Sequence, residues 1–168
     1  MESLWLEVYR STTEVSDIMN SENSTHVEGL VTLQERVVNL INQMQIPLVE
    51  VSMVISNHIN QMMKSLNDYI QQSGISFPPR VMESWPLDNS VGNESNQFID
   101  LEKILKIVDD DRMDILSTLI RVTLIETELD LTEGILAMRM WEHLARSQLS
   151  QIKTPGQLFS PIIIPEEW

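Results

Sequence analysis

The sequence predicts an all-α protein, an elongated helical bundle with coiled-coil-like heptad seams, and three observations carry that reading. Glycine is scarce, at 5 of 168 residues, and aromatics make up 5%, within a hydrophobic fraction of 42%. Few turn-formers and many aliphatics favour long helices over strands. Apolar residues recur at spacings of 3 and 4 over several turns, which is the helical period. Capping signatures stand where several of those runs begin.

A first helix is expected over 4–19, with Ser3 as its cap and Leu4, Val8, Val15 and Ile18 on one stripe. A second is expected to begin at Thr25, whose hydroxyl and the carboxylate of Glu28 fit a capping box. Leu30, Leu33, Val37, Leu40 and Met44 then make a heptad seam, widened by Val27 and Ile41. A third run over 47–72 carries Leu48, Ile55, Ile59, Met62, Leu66 and Tyr69, with Ser52 as the polar gap and Gly74 as the stop. The join from Met44 to Leu48 holds no Gly, Asn or Asp, and the seam slips by one residue across it. Pro47 therefore reads as a kink in one long helix, with a hairpin as the alternative.

Residues 75–97 break all periodicity with Pro78, Pro79, Pro86 and Gly92, and mark a linker. A short helix is expected over 100–108 and a longer one over 112–129. The longer is apolar over much of its circumference, as for a helix central to a bundle. Asp109–Asp111 can cap it, and Asp130 with Glu133 can cap a sixth helix running to about 154. Helices five and six also read as one rod, since no breaker separates them. The tail 155–168 cannot be helical through Pro161 and Pro165 and reads as extended. The chain thus divides into 1–74, a linker at 75–97, a second helical segment at 98–154 and the tail, expected to form one folding unit.

Chemistry is mostly excluded at the level of motifs. The chain has no cysteine, so thiol catalysis, disulfides and cysteine-held metals are ruled out. Neither HExxH nor ExxH occurs, and there is no GxSxG elbow or phosphate-cradling glycine loop. Asp109, Asp111 and Asp114 superficially match a calcium loop, but Met113 stands at a ligand position and the turn glycine and final Glu are missing. His58 sits beside the seam of the third helix and reads as a boundary residue. Glu126, Glu128, Asp130 and Glu133 read as a solvated acidic corner or a dock for a basic partner. No enzyme, cofactor or metal is expected.

The formal charge of −14, with 11 scattered basic residues, argues against direct nucleic-acid contact and against an anionic membrane surface. No window has the 18 or more uninterrupted apolar residues of a membrane span. The N-terminus lacks the basic region and apolar core of a secretory signal, so a cytoplasmic or nuclear location is expected.

The leading functional reading is a non-catalytic helical subunit of a larger assembly, binding partner helices through its seams and forming homo- or hetero-oligomers. The alternative is a compact bundle of the viral or pathogen accessory type that sequesters a host peptide or protein in an apolar groove. A third is a small enzyme with converging carboxylates. Expected partner-binding residues are Ile55, Ile59, Met62 and Leu66 on the third helix and Trp141 on the sixth. Ile162, Ile163, Ile164 and Trp168 are the expected contacts in the tail. Trp141 lies off the sixth-helix seam, which suits a partner anchor.

Overall fold

The computed structural model describes residues 24–88 and 100–168. The helix expected over 4–19 and the later part of the linker lie outside the described residues. The first described helix, α1, covers 24–44. It is followed by α2 (Leu48–Ser73), α3 (Pro79–Met82), α4 (Leu101–Ile107), α5 (Asp110–Glu126) and α6 (Leu131–Ser150), then a 3₁₀ turn at Pro155–Phe159. No strand occurs among the described residues; Pro47 and Pro161 form an isolated antiparallel bridge.

Local chemistry sets most of the ends. Gly74 closes α2 in the left-handed region at φ 69°, its amide bonding the carbonyl of Ile70. The side chains of Asp100 and Asp109 cap α4 and α5. Asp130 and Glu133 form the expected capping box at the start of α6. Thr25 lies within α1, which is helical from residue 24, the first described.

The long contacts give the helix directions. On α1, Arg36 meets Thr123 and Glu126 of α5, whereas Gly29 lies against Thr127 and Leu129, so these two helices run antiparallel. On α2, Glu50 meets Arg112 and His58 meets Ser117, so α2 runs parallel to α5. Helices α1 and α2 are therefore a hairpin, not one kinked helix. The reversal uses Gln45 at φ 50°, a left-handed residue that supplies the turn without Gly or Asn. A second reversal, with Glu128 at φ 51°, separates α5 from α6, so these are not one rod. The 74–109 stretch is the single long crossover between the two hairpins, a known way to connect a four-helix bundle.

One core cluster draws on all four long helices: Leu33, Val37 and Ile41 from α1, Ile55 and Ile59 from α2, Leu116 and Ile120 from α5, and Met138 and Trp141 from α6. Most of both seams thus faces this chain's own interior, while Val27 and Tyr69 remain exposed. Two corrections follow. Trp141 is 1% exposed and lies in the core, its indole N–H donating to Gln34 at 2.9 Å. Helix α5 is peripheral: Ile115, Val122 and Ile125 remain exposed, and only Leu116, Ile120 and Thr123 are buried. Gly29 allows α1 close to the α5–α6 turn, since a Cβ there would stand 3.1 Å from Thr127 and Leu129.

A buried carboxylate fixes the start of α5. Glu50 is 1% exposed, and its oxygens accept from Arg112 Nε and Nη2, both at 2.6 Å, and from the Asp109 amide at 2.9 Å. This bidentate pair leaves no carboxylate oxygen unsatisfied.

The tail docks on the bundle. The Ile162 amide donates to the Ile46 carbonyl at 3.3 Å, and the Leu48 amide to the Ser160 carbonyl at 2.8 Å. The Gln148 side-chain amide holds both the N–H and the C=O of Ile163. Trp168 meets Trp141 edge-on, with ring centroids 4.9 Å apart.

Replacing Glu50 by Ala leaves the Arg112 guanidinium and the Asp109 amide without that partner, and is expected to cost about 3–5 kcal/mol in urea unfolding. Glu50→Leu with Arg112→Met should recover most of the loss. Deleting 158–168 removes Leu158, Ile162 and Trp168 from their packing. Each apolar side chain is worth about 1.5–3 kcal/mol, and a chain of this size shifts by about 2–4 °C per kcal/mol. A drop in Tm of at least about 5 °C is expected by calorimetry.

Candidate protein-binding groove

Once the seams are buried, the open apolar concavity lies elsewhere. Helices α1 and α6 run parallel, as the pairs His26–Glu133 and Gln34–Trp141 show. Between them is a groove of about 330 Å³ lined by Leu30, Leu33, Gln34, Leu136, Ala137 and Met140, with Trp85 as a further wall and Trp141 and Glu133 also on it. Val27 and Val31, one turn from Leu30 and Gln34 on α1, are exposed and extend its apolar rim.

Trp85 is held there by polar contacts. Arg139, buried on α6, donates to the carbonyls of Val81 and Met82 and to Ser84 Oγ, each at 3.2 Å, and pairs with Glu142 at 3.0 Å. Arg146 donates to the Trp85 carbonyl at 2.7 Å. The Trp85 indole N–H donates to the Arg80 carbonyl at 2.9 Å, and the Arg80 guanidinium stands 4.9 Å from the ring centroid. Two arginines of α6 thus anchor the α3 segment, which sets the Trp85 ring against α6. Polar contacts from Arg139 and Arg146 and the hydrogen bond to the Arg80 carbonyl thus hold this aromatic wall against α6.

Of the residues expected to bind partners, Ile55, Ile59, Leu66, Trp141 and Ile162 are buried in this chain, while Met62, Ile164 and Trp168 are half-buried. Ile163 alone among them is well exposed, at 74%. The groove brings together Trp141 and residues that sequence reasoning did not single out as contacts, chiefly Trp85, Leu136 and Ala137. The usable signal was a tryptophan between Pro79 and Pro86, in a segment otherwise free of periodicity. Elsewhere, His58 is buried and its Nε2 lies 3.0 Å from Ser117 Oγ. No group of three or more His, Cys, Asp or Glu that could hold a metal occurs among the described residues. No described helix is long and apolar enough to cross a membrane.

Comparison with protein-family models, with curated proteins and with solved structures finds no match for this chain.

Burial holds the His58 imidazole below its ordinary value; a hydrogen bond to the Ser117 backbone opposes this and the charge of Arg121 adds to it. The unfolded chain therefore takes up this proton first as pH falls. The stability due to neutral His58 is complete above about pH 6.5 and is lost below it. Between pH 7.5 and 5, wild type is expected to lose more Tm than His58→Gln. Equal losses would contradict the assignment.

Proposed function

We propose that this protein is a non-catalytic helical interaction module that takes the apolar side-chain row of another protein's amphipathic helix into the groove between α1 and α6. The observation that carries the reading is that this groove stays open and apolar while the heptad seams are spent on the protein's own core. Ile55, Ile59 and Leu66 are buried within the bundle, which favours the groove over the seams as the surface offered to a partner. An apolar slot with a fixed aromatic wall fits helix-in-groove recognition, where residues at i, i+3 or i+4 and i+7 act as anchors. Met140 adds an adaptable side chain to the floor, as is common at binding grooves. A place in a larger assembly remains part of the proposal, as does a cytoplasmic or nuclear location; both rest on sequence.

Affinity capture from the native source, read by mass spectrometry, tests this with two variants. Met140→Glu puts a charge into the groove at a half-buried position, so the fold should survive within a few degrees of Tm. A direct partner should be retained by wild type and by Ile163→Ser, and be lost, at least about tenfold in yield, from Met140→Glu. A carboxylate facing a partner's apolar row costs about 1.4 kcal/mol or more at that ratio. The same proteins captured equally by all three would overturn the reading.

A further inference from the structure

The outward side of α5 carries a second, narrower apolar row, broken by the exposed Thr118 and bordered by the exposed Arg121, and no residue of α5 lines the α1–α6 groove. Ile115, Val122 and Ile125 follow at helical spacings of 7 and 3 and are exposed, Ile125 by 71%. They span about 15 Å along the axis at 1.5 Å per residue. At its C-terminal end the stripe runs into a shallow concavity of about 420 Å³, where Met62, Leu124, Ile125, Leu129 and Gly134 meet. Leu131 and Asp130 complete this hollow, and Glu128 stands on it too.

Charge decides what can cover this surface. Asp111 and Asp114 flank the stripe at one end, and Glu126 and Glu128 at the other; all four are exposed. Asp111, Asp114 and Glu128 form no ion pair among the described residues, while Arg36 meets Glu126 from the α1 side at 2.6 Å. Arg112 is committed to Glu50, which leaves Arg121 on the flank of α5 as its remaining cation. A second copy is a poor fit. Antiparallel pairing about the stripe's centre would set Asp114 of one copy against Glu126 of the other and bring Asp111 beside Glu128, and parallel pairing would set Asp111 against Asp111. Either places like charges opposite each other at an interface, where such contacts are costly. The complementary occupant carries the opposite sign at both ends.

We infer that the outer face of α5, with the hollow at its C-terminal end, docks a basic amphipathic helix of another protein: an apolar row of about three turns flanked at both ends by Lys or Arg. Asp111 and the C-terminal end of α5, where Glu128 stands beside the Arg36-paired Glu126, lie about 22 Å apart along the axis, so the flanking cations of the partner stand about 15 residues apart. The apolar row supplies contact area. The acidic ends set orientation and raise the rate of encounter. The surface is independent of the groove, so one protein would join two partners.

Three synthetic peptides test this on the full chain by calorimetric titration at 50 mM salt. One is a 17-residue helix with an Ile/Leu row and two lysines at each end. The second has glutamates for those lysines. The third has the composition of the first, scrambled so that no row forms. The first should bind, and at least about tenfold more weakly to Val122→Ser/Ile125→Ser and to Asp111→Asn/Asp114→Asn. Met140→Glu should leave this binding unchanged, and neither control peptide should bind. Because the substituted α5 residues are exposed, these variants should melt with wild type. The inference is overturned by equal binding of the scrambled peptide, which would mean charge alone. Loss through Met140→Glu rather than the α5 variants would move the site to the groove. A wild-type dimer that Ile125→Ser dissolves would make the occupant a second copy. No binding of the first peptide would overturn the inference as well.

Discussion

The chain reverses at Gln45–Pro47, and the positions of the other elements depend on that reversal. Two seams of heptad spacing lie on either side of it. Carried on one straight helix they would demand another chain to cover them; folded back on each other they supply two of the four walls of a core. The reversal has costs. Gln45 occupies the left-handed region, unfavourable for a residue with a Cβ. It also breaks the helix, which strands amides at the start of α2 and carbonyls at the end of α1. Pro47 removes one stranded amide by having none. The tail satisfies others, accepting from Leu48 and donating to Ile46. The last residues of the chain thus stabilise the corner that the first hairpin needs.

That arrangement determines which surfaces stay open. With α1, α2, α5 and α6 each giving one face to a common core, the apolar surface left open among the described residues includes the furrow between the parallel pair α1 and α6, the outer side of α5, and Leu101, Leu105 and Ile107 on α4. Buried charge occurs where a segment connecting the long helices must be held. Glu50 receives the α4–α5 corner, and Arg139 receives the backbone of the α3 segment. Each is satisfied by several partners, and each makes the loss of one partner expensive. In both places a long side chain collects backbone groups that no helix or sheet accommodates.

Much of this was legible in the sequence, for local reasons. The bounds of α2, its glycine stop, the aspartate cap of α5 and the capping box of α6 all follow from side chains within a few residues of the backbone they serve. The burial of Leu33, Val37, Ile55, Ile59 and Leu66 follows from period alone. The two reversals were not legible. Gln45 and Glu128 carry no turn preference, and the long-range packing of α1 on α5 and α6 outweighs their local cost. Period also misjudged α5: aliphatics all round a helix show that it can be buried, while the number of neighbouring helices decides whether it is. Trp141 was misplaced because the seam was drawn as one narrow stripe, whereas α6 packs on both α1 and α2. The groove was invisible because Trp85, Leu30 and Met140 meet only in three dimensions.

Both proposed binding surfaces depend on the hairpin, and the absence of cysteine makes it directly measurable. Spin labels on Glu28→Cys and Lys64→Cys, both at exposed positions, report the separation of the start of α1 from the later turns of α2. Adjacent or diagonal helices of one bundle have axes about 10–15 Å apart, so with label length the hairpin predicts a pulsed dipolar distance below about 30 Å. A continuous helix separates the same residues by about 54 Å at 1.5 Å per residue, and a distribution centred above about 45 Å would contradict the account.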